Sequence, residues 1–310
     1  MYDMVIIGSG AAGLSAALYA GRARFNTLVI EKMGVTGSQI IYTDKVDNYL
    51  GFPLLSGYEL INKFREHVGK LAEFTSGEVV SVSKKEDTFK IQLKENDGKD
   101  KREIKAKTVI VSTGAIHRKL KVPGEEKLTG KGVSYCATCD GAFYKAKDVV
   151  VAGGGDTALS EALYLSNICN KVYLVHRRVQ LRGSKAYQDK VFAKDNIEFI
   201  GNAIIEEILG DERVEGVEYH DKVSGYKKSI SAEGVFVAVG MQPETDFIKE
   251  IAELDEYGYI EAGEDCVTNV RGLFAAGDVR KKPLRQLACA VSDGAVCVKS
   301  AEDYISRNIL

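Results

Sequence analysis

The sequence predicts an α/β fold of two Rossmann-like, three-layer dinucleotide-binding domains, the second inserted into the first. Three observations carry this expectation. A strand, glycine turn, helix and strand occur in succession twice, at residues 2–31 and again at 148–178. Each copy is followed by a meander and then by an apolar strand that ends at glycine. The C-terminal stretch adds one more apolar strand, residues 272–278, and a closing helix from about Leu284. If that stretch completes the first module, the second module is an insertion. Internal duplication is the main architectural clue. The expected boundaries are 1–115 and 243–310 for the first domain and 116–242 for the second.

The elements follow in order. Residues 2–7 are an apolar, β-forming run, and Gly8-Ser9-Gly10-Ala11-Ala12-Gly13 is the turn. Residues 14–24 are alanine-rich and helix-forming, and residues 26–30 are a second strand that ends at Glu31. This is a βαβ unit of about 30 residues. Residues 79–82, 89–93 and 102–104 read as an antiparallel meander with polar turns such as Asn96-Asp97-Gly98. Residues 108–112 form a separate apolar strand before Thr113-Gly114-Ala115. In the second unit, strand 149–152 leads through Gly153-Gly154-Gly155-Asp156 to a helix over 157–169 and a strand over 171–175. A strand at 197–200, a meander over 214–230 and an apolar run over 234–240 complete the repeat.

Composition narrows the function. At roughly 100–200 residues per domain, 310 residues suggest two domains. A net charge of -2 gives no reason to expect nucleic acid or an anionic membrane as partner. No stretch approaches the ~18 apolar residues of a membrane span. Met1-Tyr2-Asp3 leads directly into the apolar run, unlike a secretory leader. The expected location is the cytoplasm, where thiols stay reduced. Of six cysteines, Cys136 and Cys139 alone have a diagnostic spacing. Cys169, Cys266, Cys289 and Cys297 read as small buried hydrophobes.

In the first fingerprint, Gly8-x-Gly10-x-x-Gly13, glycines permit a tight turn and close approach of backbone to a pyrophosphate. The helix start offers free N–H groups to the phosphates. Glu31, 18 residues beyond Gly13, can accept from both ribose hydroxyls and repels a 2′-phosphate. The second fingerprint is Gly153-x-Gly155-x-x-Ala158, and its second strand ends in His176-Arg177-Arg178, with Arg182 shortly after. Arginine clusters match phosphate by charge and forked hydrogen bonds. The expectation is a 2′-phosphorylated dinucleotide, NADPH; the alternative is a solvated basic face. An acidic site suited to FAD and a basic one suited to NADPH suggest two cofactors that exchange electrons.

Cys136-Ala137-Thr138-Cys139-Asp140 lies just before the second module. In a helical turn, positions i and i+3 share a face, at a separation a disulfide can span. Half a zinc site is the alternative, but no second Cys-x-x-Cys or spaced histidine pair accompanies it, and no metal is expected. Asp140 is suited to give or receive the thiol proton; a helix cap is the other reading. If the dithiol and the NADPH site share one domain and both use the flavin ring, that domain has to turn, with hinges near 114–117 and 240–245.

These motifs, with Thr113-Gly114-Ala115, Ala276-Gly277-Asp278 and Arg285-Gln286, resemble the low-molecular-weight thioredoxin reductases over essentially the whole chain. The resemblance implies electron transfer from NADPH through FAD and the Cys136–Cys139 pair to thioredoxin, usually in a homodimer. It implies that Asp278 contacts the FAD ribitol, that Gln286 lies near the flavin ring, and that Gln39 and Asn48 line FAD. Ser9, Ala11, Ala12, Lys32, Val80, Gly277, Arg285 and Leu287 are expected at the same site, and Gly154, Asp156 and Thr157 at NADPH. Cys139 would face the flavin, Cys136 would attack the substrate disulfide, and Asp140 would be the acid/base. Ser160, Val179, Gly183 and Cys289 depart from the family pattern, though Glu161 is kept. The first three bear on donor choice, so reduced ferredoxin as donor, or a glutaredoxin-like acceptor, is the competing expectation.

Overall fold

In the computed structural model, β1 (Tyr2–Ile7), α1 (Ala11–Arg22) and β2 (Thr27–Glu31) build the first βαβ unit. The structure describes residues 1–32, 37–43, 46–94 and 101–308. A 3₁₀ turn (Gln39–Tyr42), α2 (Gly57–Val68) and β3 (Glu73–Ser76) follow, then β4 (Glu78–Lys85), β5 (Thr88–Lys94) and β6 (Lys101–Val111). The chain passes through β7 (Ala115–His117) to β8 (Val133–Ser134), α3 (Ala137–Asp140), β9 (Asp148–Gly153), α4 (Asp156–Ser166) and β10 (Lys171–Val175). Next come α5 (Lys185–Phe192), β11 (Ile197–Ile200), β12 (Ala203–Leu209), β13 (Gly216–Asp221), β14 (Lys227–Ser231) and β15 (Gly234–Ala238). It returns through β16 (Met241–Pro243), which pairs with β7, to β17 (Leu273–Ala275) and α6 (Leu287–Asn308).

Met1–Ile41, Gly57–Ile116 and Gln242–Leu310 cluster as one unit, and Tyr42–Ser56 with His117–Met241 as the other. In the first, β3, β2, β1, β6 and β17 run parallel, β5 joins β6 antiparallel, and β4 joins β5 antiparallel. The second has a parallel sheet ordered β11-β10-β9-β15-β8 and an antiparallel β12-β13-β14 meander. β2, β9 and β15 are buried on both faces or nearly so, as strands covered on both sides of a parallel sheet must be. This is the α/β, two-domain dinucleotide-binding architecture, with one unit inserted into the other.

Several boundaries differ from the sequence expectation. The strands expected at 102–104 and 108–112 are one strand, β6. Ile104 and Ala106 stay buried while Lys105 faces out and Lys107 pairs with Asp3, so the two-residue alternation runs through the lysines unbroken. The second meander starts at Ala203, well before residue 214. α1 begins at Ala11, inside the glycine turn, and α6 begins at Leu287. The Asn96-Asp97-Gly98 turn lies outside the described residues. Cys169, Cys266 and Cys297 are buried, whereas Cys289 is only partly so.

Candidate active site

The first fingerprint divides its glycines between two tasks. Gly8 has φ +109°, and a Cβ there would lie 2.4 Å from the Ser112 carbonyl oxygen. A Cβ on Gly13 would lie 1.9 Å from the Gly8 carbonyl oxygen. Both therefore let α1 seat on the sheet. Among the described residues, a Cβ on Gly10, the N-cap of α1, would meet Ser38 Oγ alone, at 3.9 Å, and no side chain caps the helix. Its open front and the uncapped first-turn amides suit an anion. Ser9, Ala11 and Ala12 are buried around it.

Glu31 is buried at the end of β2, and Arg65 grips both of its oxygens, Nη2 at 3.0 Å. The Arg65 guanidinium lies 3.7 Å over the Phe74 ring. A carboxylate has about four acceptor positions, so Glu31 keeps capacity for hydroxyl donors. Sequence reasoning missed Arg65, because nothing in its spacing marks it.

The C-terminal part supplies the opposite wall. The Gly277 amide donates to Asp293 Oδ2 at 2.9 Å, and Asp293 also binds Arg280 and Lys282, which fixes the turn. Next to it, Asp278 carries a buried Oδ1 with no hydrogen-bond partner among the described residues, and burial pushes its carboxyl up. Arg285 lies 4.1 Å from the Tyr259 ring, and its buried Nε likewise has no partner among the described residues. Such orphaned atoms are costly unless a ligand meets them. An acceptor and a donor of this kind fit the hydroxyl and phosphate groups of FAD. Gln286 and Leu287 are half-buried beside them in sequence.

The remaining predicted residues are more dispersed. Thr113 Oγ1 donates to the Glu244 carbonyl at 2.9 Å, Gly114 has φ +73°, and Ala115 is buried in β7. Lys32 is exposed and pairs with Glu78 at 2.6 Å. Val80 is exposed at the β4 bulge. Gln39 is half-buried in the 3₁₀ turn, whereas Asn48 is exposed within the stretch that groups with the second unit.

The second fingerprint repeats the division of labour. A Cβ on Gly153 would lie 2.4 Å from the Ala238 carbonyl oxygen, whereas nothing lies within 4 Å of one on Gly155, the N-cap of α4. Gly154 is glycine because the His176 ring would meet its Cβ at 2.6 Å. His176 is buried, its Nε2 has no partner among the described residues, and burial and then Arg182, Arg177 and Arg178 push its pKa down. Those three arginines are exposed around it. Asp156 Oδ1 accepts from the Ser184 amide at 2.7 Å, and Gly154 accepts from the Arg182 amide at 2.6 Å, which ties the arginine loop to the turn. Thr157 follows in the first turn of α4. Open glycine, uncapped helix and adjoining arginines fit a phosphorylated dinucleotide.

Cys136 and Cys139 form a disulfide, with Cα atoms 5.3 Å apart. The Cys139 and Asp140 amides both donate to the Cys136 carbonyl, which closes the turn expected for positions i and i+3. Buried Ser134 binds it from β8: its Oγ donates to Asp140 Oδ2 at 2.6 Å and accepts from the Cys136 amide at 3.1 Å. No sequence motif marks Ser134; β8 pairing with β15 puts it there.

These residues bring together a disulfide, a tethered carboxyl and, in the same unit, the second glycine fingerprint. The pattern of the pyridine nucleotide-disulphide oxidoreductases matches residues 2–294. The chain belongs to that family. It is 44% identical over 315 residues to a thioredoxin reductase of Peptoclostridium litorale, covering 99% of this chain and 98% of the relative. It is 40% identical over 316 residues to the thioredoxin reductase of Bacillus subtilis (strain 168), covering 99% and 96%. The crystal structure of thioredoxin reductase from Streptococcus pyogenes MGAS5005 superposes with a TM-score of 0.92 at 42% identity, covering 99% and 98%. Among the described residues, no helix is long and apolar enough to cross a membrane.

Proposed function

We propose that this chain is a thioredoxin-disulfide reductase that takes electrons from NADPH through FAD to Cys136 and Cys139. The observation that carries the reading is the Cys136–Cys139 disulfide, with Asp140 tethered beside it, directly preceding the second fingerprint. In this reading residues 1–115 and 243–310 bind FAD, and residues 116–242 carry the dithiol and bind NADPH. Gly10, Glu31, Asp278 and Arg285 would hold FAD; Gly155, His176, Arg177, Arg178 and Arg182 would hold NADPH. Bound FAD supplies the relay that turns a hydride from the nicotinamide into a two-electron reduction of a disulfide.

The chain's own residues do the rest. Once the pair is reduced, the Cys136 thiolate attacks one sulfur of the thioredoxin disulfide, forming a mixed disulfide and releasing one thiolate. The Cys139 thiolate then attacks Cys136 sulfur, restoring the Cys136–Cys139 bond and releasing the second. Asp140, held by Ser134, passes protons to the departing sulfurs. The reading includes a cytoplasmic location, supported by the reduced-thiol chemistry, and a homodimer, which rests on the likeness to thioredoxin reductases alone.

The test is anaerobic addition of NADPH, then NADH, then reduced ferredoxin to the flavin-loaded protein, with flavin bleaching followed by absorbance. Rapid bleaching by NADPH, followed by multiple turnovers on thioredoxin, is the expected result. Bleaching by ferredoxin alone would overturn the nicotinamide role of the second unit.

A further inference from the structure

One buried acid in the second unit has no role in the chemistry above. Glu161 lies on α4, five residues after Asp156, and its Oε1 accepts from the Ala137 amide at 3.3 Å. Ala137 is the residue directly after Cys136 and is fully buried. Glu161 Oε2 is also buried and has no partner among the described residues. We infer that Glu161 is a positioning residue for the redox pair: from the nucleotide-binding helix it holds the Ala137 amide, and its charge sets how readily Cys136 becomes a thiolate. The inference rests on the reading of Cys136 and Cys139 as the redox pair.

An ionised carboxylate with one buried oxygen unsolvated is unfavourable, whereas a protonated one is tolerated. Burial pushes the Glu161 carboxyl up to about 7, opposed only by the Ala137 hydrogen bond. The charged groups on elements packed against α4 are Asp140 on α3, Asp148 on β9, Lys171 on β10, and Lys185, Asp189 and Lys190 on α5; none contributes to the shift. Lys171 is occupied by Glu198 and Lys185 by Asp189. Burial thus favours the neutral form of Glu161, with no counter-ion acting on it among the described residues, beside a peptide group it shares with Cys136. An anion there disfavours a second anion on the sulfur, so the two groups titrate as a coupled pair. Asp140 differs, because Ser134 already donates to it.

The test reads the thiol without turnover, so a chain that reduced no thioredoxin would still answer it. In the flavin-loaded Cys139→Ser protein, Cys136 is the one thiol left of the pair. Its alkylation by iodoacetamide, in which the thiolate forms the C–S bond and iodide leaves, is followed by peptide mass from pH 5 to 9. Adding Glu161→Gln keeps an acceptor for the Ala137 amide and removes the charge. The alkylation rate at pH 7 should rise roughly tenfold, and the two-step profile should become a single step. Superimposable profiles with and without Glu161→Gln would overturn the inference. Should Glu161→Gln lose its flavin, the Cys139→Ser profile alone decides: a single titration step would overturn it.

Discussion

Gly155→Ala separates folding from nucleotide binding. Gly155 caps α4 with φ -96° and extended ψ, a conformation alanine adopts without strain, and nothing lies within 4 Å of the added methyl. The unfolded chain loses freedom, which favours the folded state by about 0.4–1 kcal/mol, and alanine is a poorer N-cap than glycine by a similar amount, so stability should change little. Binding, by contrast, should fall. The methyl stands before the uncapped amides of α4, where a pyrophosphate has to approach. Losing one charge-assisted hydrogen bond there costs about 1.5–3 kcal/mol, which weakens NADPH roughly 10- to 150-fold. Calorimetric titration with NADPH and a thermal melt of the same sample measure both effects. An unchanged NADPH affinity at an unchanged melting temperature would refute the assignment of that open face to the phosphates.

Three further outcomes are expected. Replacing Arg177 and Arg182 together by alanine should weaken NADPH by about 10-fold or more while NADH changes little, since both are exposed and serve no packing role; equal losses in titration would remove their phosphate role. Ser134→Ala removes the Ser134 acceptor of the Cys136 amide and one hydrogen bond to Asp140, so thioredoxin turnover should fall roughly tenfold with a stability loss of about 1–2 kcal/mol; wild-type kcat would contradict this. His117 stacks on Tyr135 with ring centroids 5.3 Å apart, and burial pushes its pKa down from 6.5 to about 4. A neutral folded histidine against a protonated unfolded one means stability is full above pH 6.5 and is lost as pH falls toward 4, by about 3 kcal/mol in total. The urea midpoint of wild type should therefore fall relative to that of His117→Phe between pH 7 and pH 4; parallel curves would refute it.

Much of this was legible in the sequence because glycine turns between apolar runs have few physical interpretations. Both βαβ units, the insertion and the dithiol turn follow from local pattern. What local pattern lacks is any record of contacts made across the fold. Ser134 reaches Asp140 only because β8 pairs with β15, and Arg65 reaches Glu31 from α2, a helix the pattern left unassigned. Lys105 and Lys107 looked like the end of a strand, yet they are the outward half of a continuous alternation. Glu161 was visible as a retained residue, but its burial against Ala137 was not.

The two fingerprints also show why a glycine motif is a compound signal. Gly8, Gly13 and Gly153 face backbone carbonyls 1.9–2.4 Å from where a Cβ would stand, so they are demanded by the packing of helix on strand alone. Gly10 and Gly155 face open space, so packing does not demand them. A chain that needed only the fold could keep the first three and place serine or aspartate at the other two, where such N-caps would stabilise α1 and α4 by about a few tenths of a kcal/mol each over glycine. Both helices here forgo the side-chain cap. That forgone stability is the physical argument that each helix start is held open for an external anion, and it applies to both units independently of any likeness to other proteins.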